Sequence, residues 1–178
     1  MIDRVALIGL MATGKSTLGR ALAQHLGWTF RDIDEVIVDA TGHTVRELWE
    51  LEGEQGYRPR EAAAVLEALA TADPVVVAVP AGAVLEPAVA DALTDPSVLV
   101  IWLDATPATL ATRVGPDDHR PLLGADPLAV LTEMAASRRD RYQALADDVI
   151  EVDELDMGAL VQAGTAIVER ALPYRDDR

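Results

Sequence analysis

The run Gly9-Leu10-Met11-Ala12-Thr13-Gly14-Lys15-Ser16-Thr17 has the spacing G-x-x-x-x-G-K-[ST]. Residue types in that order suit one task, which is to hold a polyphosphate. Glycines let the main chain curl so that successive N–H groups face an anion. A following helix adds donors that its own carbonyls do not use, and the positive end of its dipole. The Lys15 ammonium suits the β- and γ-phosphates, and the Ser16 hydroxyl is placed to ligate Mg²⁺. Lys15 is the only lysine of the chain, every other basic residue being arginine. Ala12, Thr13, Gly14, Lys15, Ser16 and Thr17 are therefore the candidate nucleotide-binding residues.

A second group of candidates is carboxylates and arginines. Asp32 and Asp34 stand two apart at the end of a short strand, Trp28-Thr29-Phe30. In α/β sheets ligands bind beyond the C-terminal ends of strands. Asp32 could support the metal through water, and Asp34 could accept a hydrogen bond from a substrate hydroxyl or take its proton. Equally, either one could cap the helix that Glu35-Val36-Ile37-Val38-Asp39 suggests. Arg58 and Glu61 are three apart, close enough to meet across one helical turn; a surface ion pair is the plainer reading. The segment Val114 to Gly124 is rich in Gly, Pro and Asp around Arg120. It reads as a flap whose arginine could fold onto the triphosphate. The histidines at 25, 43 and 119 are scattered, and none reads as a metal ligand.

The elements that would position these residues alternate. Val5-Ala6-Leu7-Ile8 is a short apolar strand before the glycine loop, and Leu18, Ala21, Leu22 and Leu26 after it have helical spacing. Gly42 ends the helix near 35–39. Thr44 to Glu47 has capping-box spacing and opens a helix to residue 49 or 51. Pro59 suits a first helical turn, so a separate helix is expected from there to Ala70. Residues 74–79 read as a strand apolar on both faces, as in a parallel sheet, and run into Pro80-Ala81-Gly82. Helix 86–93, strand 98–103, a helix opened by Thr106-Pro107 that carries Arg113, helix 127–146, strand 149–152 and helix 157–172 complete the order.

At 178 residues the chain suits a single domain, with half its residues hydrophobic and few aromatic. No run reaches the ~18 apolar residues of a membrane span. Cysteine is absent, which excludes disulfides and thiolate metal sites. A net charge of −15 argues against a nucleic-acid binder. We expect a cytoplasmic monomer without membrane or nucleic-acid partners, with no room for a signal peptide before the first strand.

Several motifs in order resemble the shikimate kinases, within the nucleoside-monophosphate-kinase-like P-loop group. They are the loop at 9–17, Asp32-x-Asp34, Thr41-Gly42 and the helix after it, and Gly53-Glu54 with Arg58-x-x-Glu61. Gly82-Ala83-Val84, Arg113, Arg120-Pro121-Leu122-Leu123, and Arg138 four residues before Tyr142 follow. The similarity covers about residues 3 to 172. It implies an α/β fold: a five-stranded parallel sheet flanked by helices, with a lid near 114–124 and substrate-binding helices near 34–61. It also implies ATP and Mg²⁺, with phosphoryl transfer to the 3-hydroxyl of shikimate. Carried over residue by residue, Lys15 and Ser16 bind phosphate and metal, Asp32 supports the metal, and Asp34 holds the acceptor hydroxyls. Arg58 and Arg138 grip the acceptor carboxylate with Ala81 and Gly82 beside it. Arg113 lies near adenine, and Arg120 is the lid arginine. Lys15, Asp34 and Arg120 form the catalytic set.

One departure bears on the chemistry. The family has Gly-Gly-Gly where this chain has Pro80-Ala81-Gly82. Pro80 has no N–H to donate, and Ala81 disfavours a positive φ and adds a methyl group to the pocket floor. A gluconate-kinase-like enzyme and a non-catalytic nucleotide-binding module are the alternatives.

Overall fold

The computed structural model describes residues 1–114 and 126–172. The flap expected at 114–124, with His119 and Arg120, lies outside the described residues except for Val114. Five parallel strands form one sheet in the order β2-β3-β1-β4-β5. They are β1 (Arg4–Ile8), β2 (Thr29–Asp32), β3 (Val75–Ala78), β4 (Val98–Asp104) and β5 (Asp148–Glu151). β1 is central, with Val5 opposite Val76 on one side and Leu99 on the other. The three inner strands are runs of Val, Leu, Ile and Ala buried almost throughout. That is the signature of a parallel sheet covered on both faces.

Seven helices flank the sheet among the described residues: α1 (Lys15–Leu26), α2 (Ile33–Thr41), α3 (Val45–Leu69), α4 (Pro87–Leu93), α5 (Pro107–Arg113), α6 (Pro127–Leu145) and α7 (Met157–Ala171). Their starts were written in caps. Thr44 Oγ1 accepts from the Glu47 N–H at 3.2 Å while Glu47 Oε2 accepts from the Thr44 N–H at 2.7 Å, completing the capping box. Thr106, Asp126 and Asp156 cap α5, α6 and α7 through the side-chain bond alone, accepting from the N–H groups of Thr109, Ala129 and Ala159.

One expected boundary differs. The two expected helices are both present within α3 and meet at Gly53, whose non-helical φ of 66° and ψ of 179° only glycine takes readily, but the second starts just after Gly53 and so before Pro59. Pro59 thus lies inside α3 rather than in a first turn. Its ring leaves the Gln55 carbonyl without a helical donor. Gln55 and Pro59 are both exposed, so water can serve that carbonyl. Strands 2 and 5 are also displaced by one or two residues, to end and begin at aspartates.

The chain runs from β1 outward to β2, returns to β3, then crosses to β4 and β5. The turn at the end of β1 therefore opens into the crevice where strand order reverses. Helices α1 and α7 pack closely beneath it. A Cβ on Gly164 would stand 2.6 Å from Leu18 Cδ1, so glycine at 164 gives Leu18 its space. Leu18 is fully buried. Leu18→Ala is expected to destabilise the fold by about 2–5 kcal/mol, read by urea unfolding. A loss under about 1 kcal/mol would show that the α1–α7 contact is not part of the tight core.

Candidate active site

The loop after β1 owes its path to space and backbone sign. Gly9 has a φ of 135°, and a Cβ there would stand 2.4 Å from the Leu103 carbonyl oxygen. Gly14 has a φ of 100°. Ala12, at 60°, is the one non-glycine residue with positive φ among the described residues. Nothing in its type announced that; the surrounding loop imposes it at a cost of about 1 kcal/mol or more. The first bond of α1 runs from the Leu18 N–H to the Gly14 carbonyl at 2.9 Å. The amides of Ser16 and Thr17 thus take no carbonyl from their own helix and remain as anion donors.

Lys15 Nζ donates to the Gly9 and Leu10 carbonyls at 2.9 and 2.8 Å. Thr13 is turned inward, its hydroxyl donating to the Leu10 carbonyl at 2.9 Å. It is 1% exposed, so its side chain braces the loop and only its main chain can meet a phosphate. Ser16 Oγ donates to Asp32 Oδ2 at 2.5 Å. Asp32 Oδ1 accepts from the Asp34 N–H at 3.1 Å, capping α2. The helix-cap reading of Asp32 thus holds through one oxygen, and its other oxygen faces the phosphate loop through Ser16.

A cavity of about 530 Å³ lies above these groups. Its walls include Ala12, Gly14, Lys15, Ser16 and Thr17 on one side, and Asp32, Asp34, Pro80 and Ala81 on another. Arg113, Val114 and Met157 line a further edge. Arg113 is held by a hydrogen bond from Nη2 to the Val152 carbonyl at 2.9 Å. Met157 is 51% exposed at the first turn of α7. Sequence reading did not find it; its only signal was its place directly after the cap Asp156.

Beyond Ala81 the wall continues into a buried charged cluster. Arg58 Nη1 donates to Glu61 Oε2 at 2.8 Å, and Glu61's side chain is 4% exposed. The plainer reading of a surface ion pair is thus overturned: α3 turns this pair inward. Burial pushes the Glu61 carboxyl above its ordinary range, and the Arg58 charge works against that rise; Asp34 and Arg138 also act on it. Arg58 pays for its own partial burial, yet Glu61 and Glu54 more than offset it and hold the guanidinium above its usual value. The outer edge of Arg58, Nε and Nη2, donates to Glu54 Oε1 at 3.3 and 3.2 Å. Trp49 supports the guanidinium at 5.0 Å from its ring centroid, and Tyr57 packs on Trp49 at 5.6 Å. Two aromatics within nine residues of Arg58, in a chain so poor in them, were the available signal.

Arg58 also explains Gly82. A Cβ at 82 would stand 2.0 Å from Arg58 Nη1, so only glycine admits the guanidinium there. Arg138 is 7% exposed, and its buried Nε has no hydrogen-bond partner among the described residues. The turn at 80–82 differs from expectation in one respect. Ala81 has no positive φ and Gly82 sits at −89° and −24°. Proline and alanine therefore fit its path without strain, and the concern over Ala81's backbone does not apply.

Lys15, Ser16, Asp32, Asp34, Ala81 and Arg113 meet at one cavity; Arg58, Gly82 and Arg138 do not line it, and stand behind the turn at Ala81, Arg58 against Gly82 and Arg138 near Glu61. Arg120 lies outside the described residues. No cluster of three or more potential metal ligands of the His, Cys, Asp or Glu type occurs among the described residues, so a cation here would rely on Ser16 and Asp32 together with a bound phosphate.

Comparison with known proteins identifies the family. The family model for shikimate kinase matches residues 11–169. A shikimate kinase from Thiobacillus denitrificans is 43% identical over 150 residues, covering 84% of this chain and 81% of its own. One from Moorella thermoacetica is 38% identical over 163 residues, covering 91% and 92%. Among solved structures, the shikimate kinase from Acinetobacter baumannii in complex with shikimate superposes with a TM-score of 0.86 at 30% identity, covering 96% of this chain and 93% of that one. A gluconokinase from Sinorhizobium meliloti shares the fold, with a TM-score of 0.61 at 20% identity, covering 94% and 93%. The glycine loop, the Asp-x-Asp pair and the buried arginines thus stand in a chain that belongs to the shikimate kinase family.

Proposed function

We propose that this chain transfers the γ-phosphoryl group of ATP to the 3-hydroxyl of shikimate. The observation that carries this is the buried cluster beside the phosphate loop: Arg58 fixed by Glu61, and Arg138 buried with an unused Nε. Two guanidinium groups adjoining a polyphosphate cavity suit a small acceptor that carries a carboxylate and hydroxyls. Family membership and the relatives named above support the same acceptor. A gluconate-type sugar acid is the alternative, and the likeness on that side extends only to the fold.

The residue roles follow from the chemistry of each group. Lys15 exchanges its two loop carbonyls for phosphate oxygens, which suit an ammonium better. The loop amides and the start of α1 hold the remaining phosphate charge. Ser16 Oγ and the Asp32 carboxylate are hard oxygen donors 2.5 Å apart on the cavity wall, a set that fits Mg²⁺. Bound there, the ion would neutralise charge on the phosphates. Asp34 accepts from the acceptor hydroxyl and aims its oxygen at the γ-phosphorus. Positioning and charge neutralisation are most of what phosphoryl transfer asks of a protein.

Arg58 and Arg138 hold the acceptor carboxylate. Glu54, 64% exposed, yields the outer edge of Arg58 to that carboxylate and returns to water. Glu61 stays, because a carboxylate so buried has no water to turn to. Arg113 and Met157 flank the adenine. The enzyme works as a monomer in the cytoplasm. No described helix is long and apolar enough to cross a membrane.

A coupled ADP-release assay tests the acceptor. Turnover is expected with shikimate and not with gluconate; the reverse would sink the proposal. Lys15→Ala is expected to lower kcat by at least about a thousandfold with the fold intact by circular dichroism. Retained activity would remove the loop from the mechanism. Arg58→Ala is expected to raise the KM for shikimate by about ten- to a hundredfold, the loss of a charge-assisted bond, and to leave the KM for ATP within about twofold. A change confined to ATP would reassign Arg58. Because the turn at 80–82 needs no glycine backbone, the double substitution Pro80→Gly and Ala81→Gly is expected to change kcat/KM for shikimate by less than about tenfold. It is also expected to lower stability by about 0.4–1 kcal/mol per site. A gain well above tenfold would show that proline and alanine limit turnover.

A further inference from the structure

The turn at Pro80-Ala81-Gly82 is held from a direction its own segment does not supply. Within the turn, the Pro80 carbonyl accepts from the Ala83 N–H at 3.1 Å and the Gly82 carbonyl from the Leu85 N–H at 3.0 Å. The carbonyl between them, that of Ala81, accepts from the Tyr142 hydroxyl at 2.9 Å. Tyr142 lies sixty-one residues away on α6 and is 2% exposed. Its ring rests on Trp102 of β4, with centroids 5.7 Å apart. Its hydroxyl is therefore delivered by a fixed ring rather than by a flexible arm.

The peptide joining Ala81 and Gly82 is one rigid trans plane, with its C=O and N–H pointing opposite ways. Fixing the Ala81 carbonyl on Tyr142 fixes the direction of the Gly82 N–H. That N–H has no acceptor among the described residues, and neither has the Ala81 N–H. Gly82 is also the residue against which the Arg58 guanidinium packs. Arg138, one helical turn before Tyr142 on α6, presents its buried guanidinium from the same face.

We propose that Tyr142 is a positioning residue: its hydroxyl sets the peptide plane of Ala81 and Gly82, and so aims the Gly82 N–H and seats Arg58 for the anionic acceptor. The role rests on the acceptor reading given above. Pro80 narrows the turn's freedom before the plane, and Tyr142 fixes the plane itself. The phosphate loop is built from β1 and α1; Tyr142 and Leu10 of that loop line one small cavity, but the Tyr142 hydroxyl is spent on the Ala81 carbonyl and not on the loop. The expected consequence is therefore confined to one substrate.

Tyr142→Phe tests this, because it removes one oxygen and keeps the ring on Trp102. The KM for shikimate is expected to rise by about five- to twentyfold, the range of one lost hydrogen bond, with the KM for ATP within about twofold. In ¹⁵N-labelled protein without ligand, the Gly82 amide resonance is expected to shift or broaden while that of Gly14 stays in place. Tyr142→Ala is expected to add a fall in thermal midpoint that Tyr142→Phe lacks. An unchanged KM for shikimate with an unmoved Gly82 amide overturns the role. So does a parallel change in both KM values with a large loss of thermal stability, which marks a structural residue only. If the wild-type enzyme fails to turn over shikimate, the acceptor reading falls, and the Gly82 resonance in Tyr142→Phe decides the positioning role alone.

Discussion

An acidic chain that binds two anions in one crevice works under a single constraint: its positive potential must be local. The net charge is −15, so the field of the whole molecule repels both a triphosphate and a carboxylate. In the roles proposed above, the fold meets this by two separate means. For the phosphates it uses main-chain amides and one lysine, fixed by a loop that packs Gly9 against the Leu103 carbonyl. For the carboxylate it uses guanidinium groups withdrawn from solvent, where screening is weak and each charge reaches further.

Withdrawing arginines from water has its own cost, and Glu61 answers it at one of the two. A buried ion pair is poor evidence of stability, since desolvation can exceed the attraction gained. What the Arg58–Glu61 pair supplies here is direction. Glu61 holds Nη1, Trp49 supports the plane, and Gly82 leaves the space. Only the edge toward Glu54 can change partners, and Glu54 is the exposed one. An exposed ion pair contributes little, so a ligand carboxylate can replace it at small expense. Arg138 has no such anchor at its Nε. In the proposed roles that asymmetry makes Arg58 the fixed half of the pair and Arg138 the half whose Nε a ligand would engage.

The sequence made the phosphate loop and the succession of strands and helices along the chain readable because each rests on local chemistry. Glycine spacing, an apolar run and a helical period all lie within twenty residues, and the caps at Thr44 and Thr106 are read from neighbours. Features set by distant contacts were not readable. Ala12's positive φ is imposed by the loop around it, and alanine gives no warning of it. The inward turn of Glu61 depends on how α3 lies against the sheet. The three-residue spacing to Arg58 is the same for a surface pair. Pro59 looked like a helix start because the kink that joins the two halves of α3 sits six residues earlier, at Gly53.

The turn after β3 shows the same limit from the other side. Proline and alanine in place of glycines read as damage when glycine is taken to mean positive φ. None of the three has a positive φ, so the turn asks no glycine backbone of its first two residues, and proline suits the first. Its third residue does require glycine, for the space that Arg58 occupies rather than for backbone freedom. A glycine can thus be required for conformation or for room, and only the second requirement survives at this turn. The main-chain direction that glycine leaves undetermined is supplied instead by α6, through the Tyr142 hydroxyl on the Ala81 carbonyl.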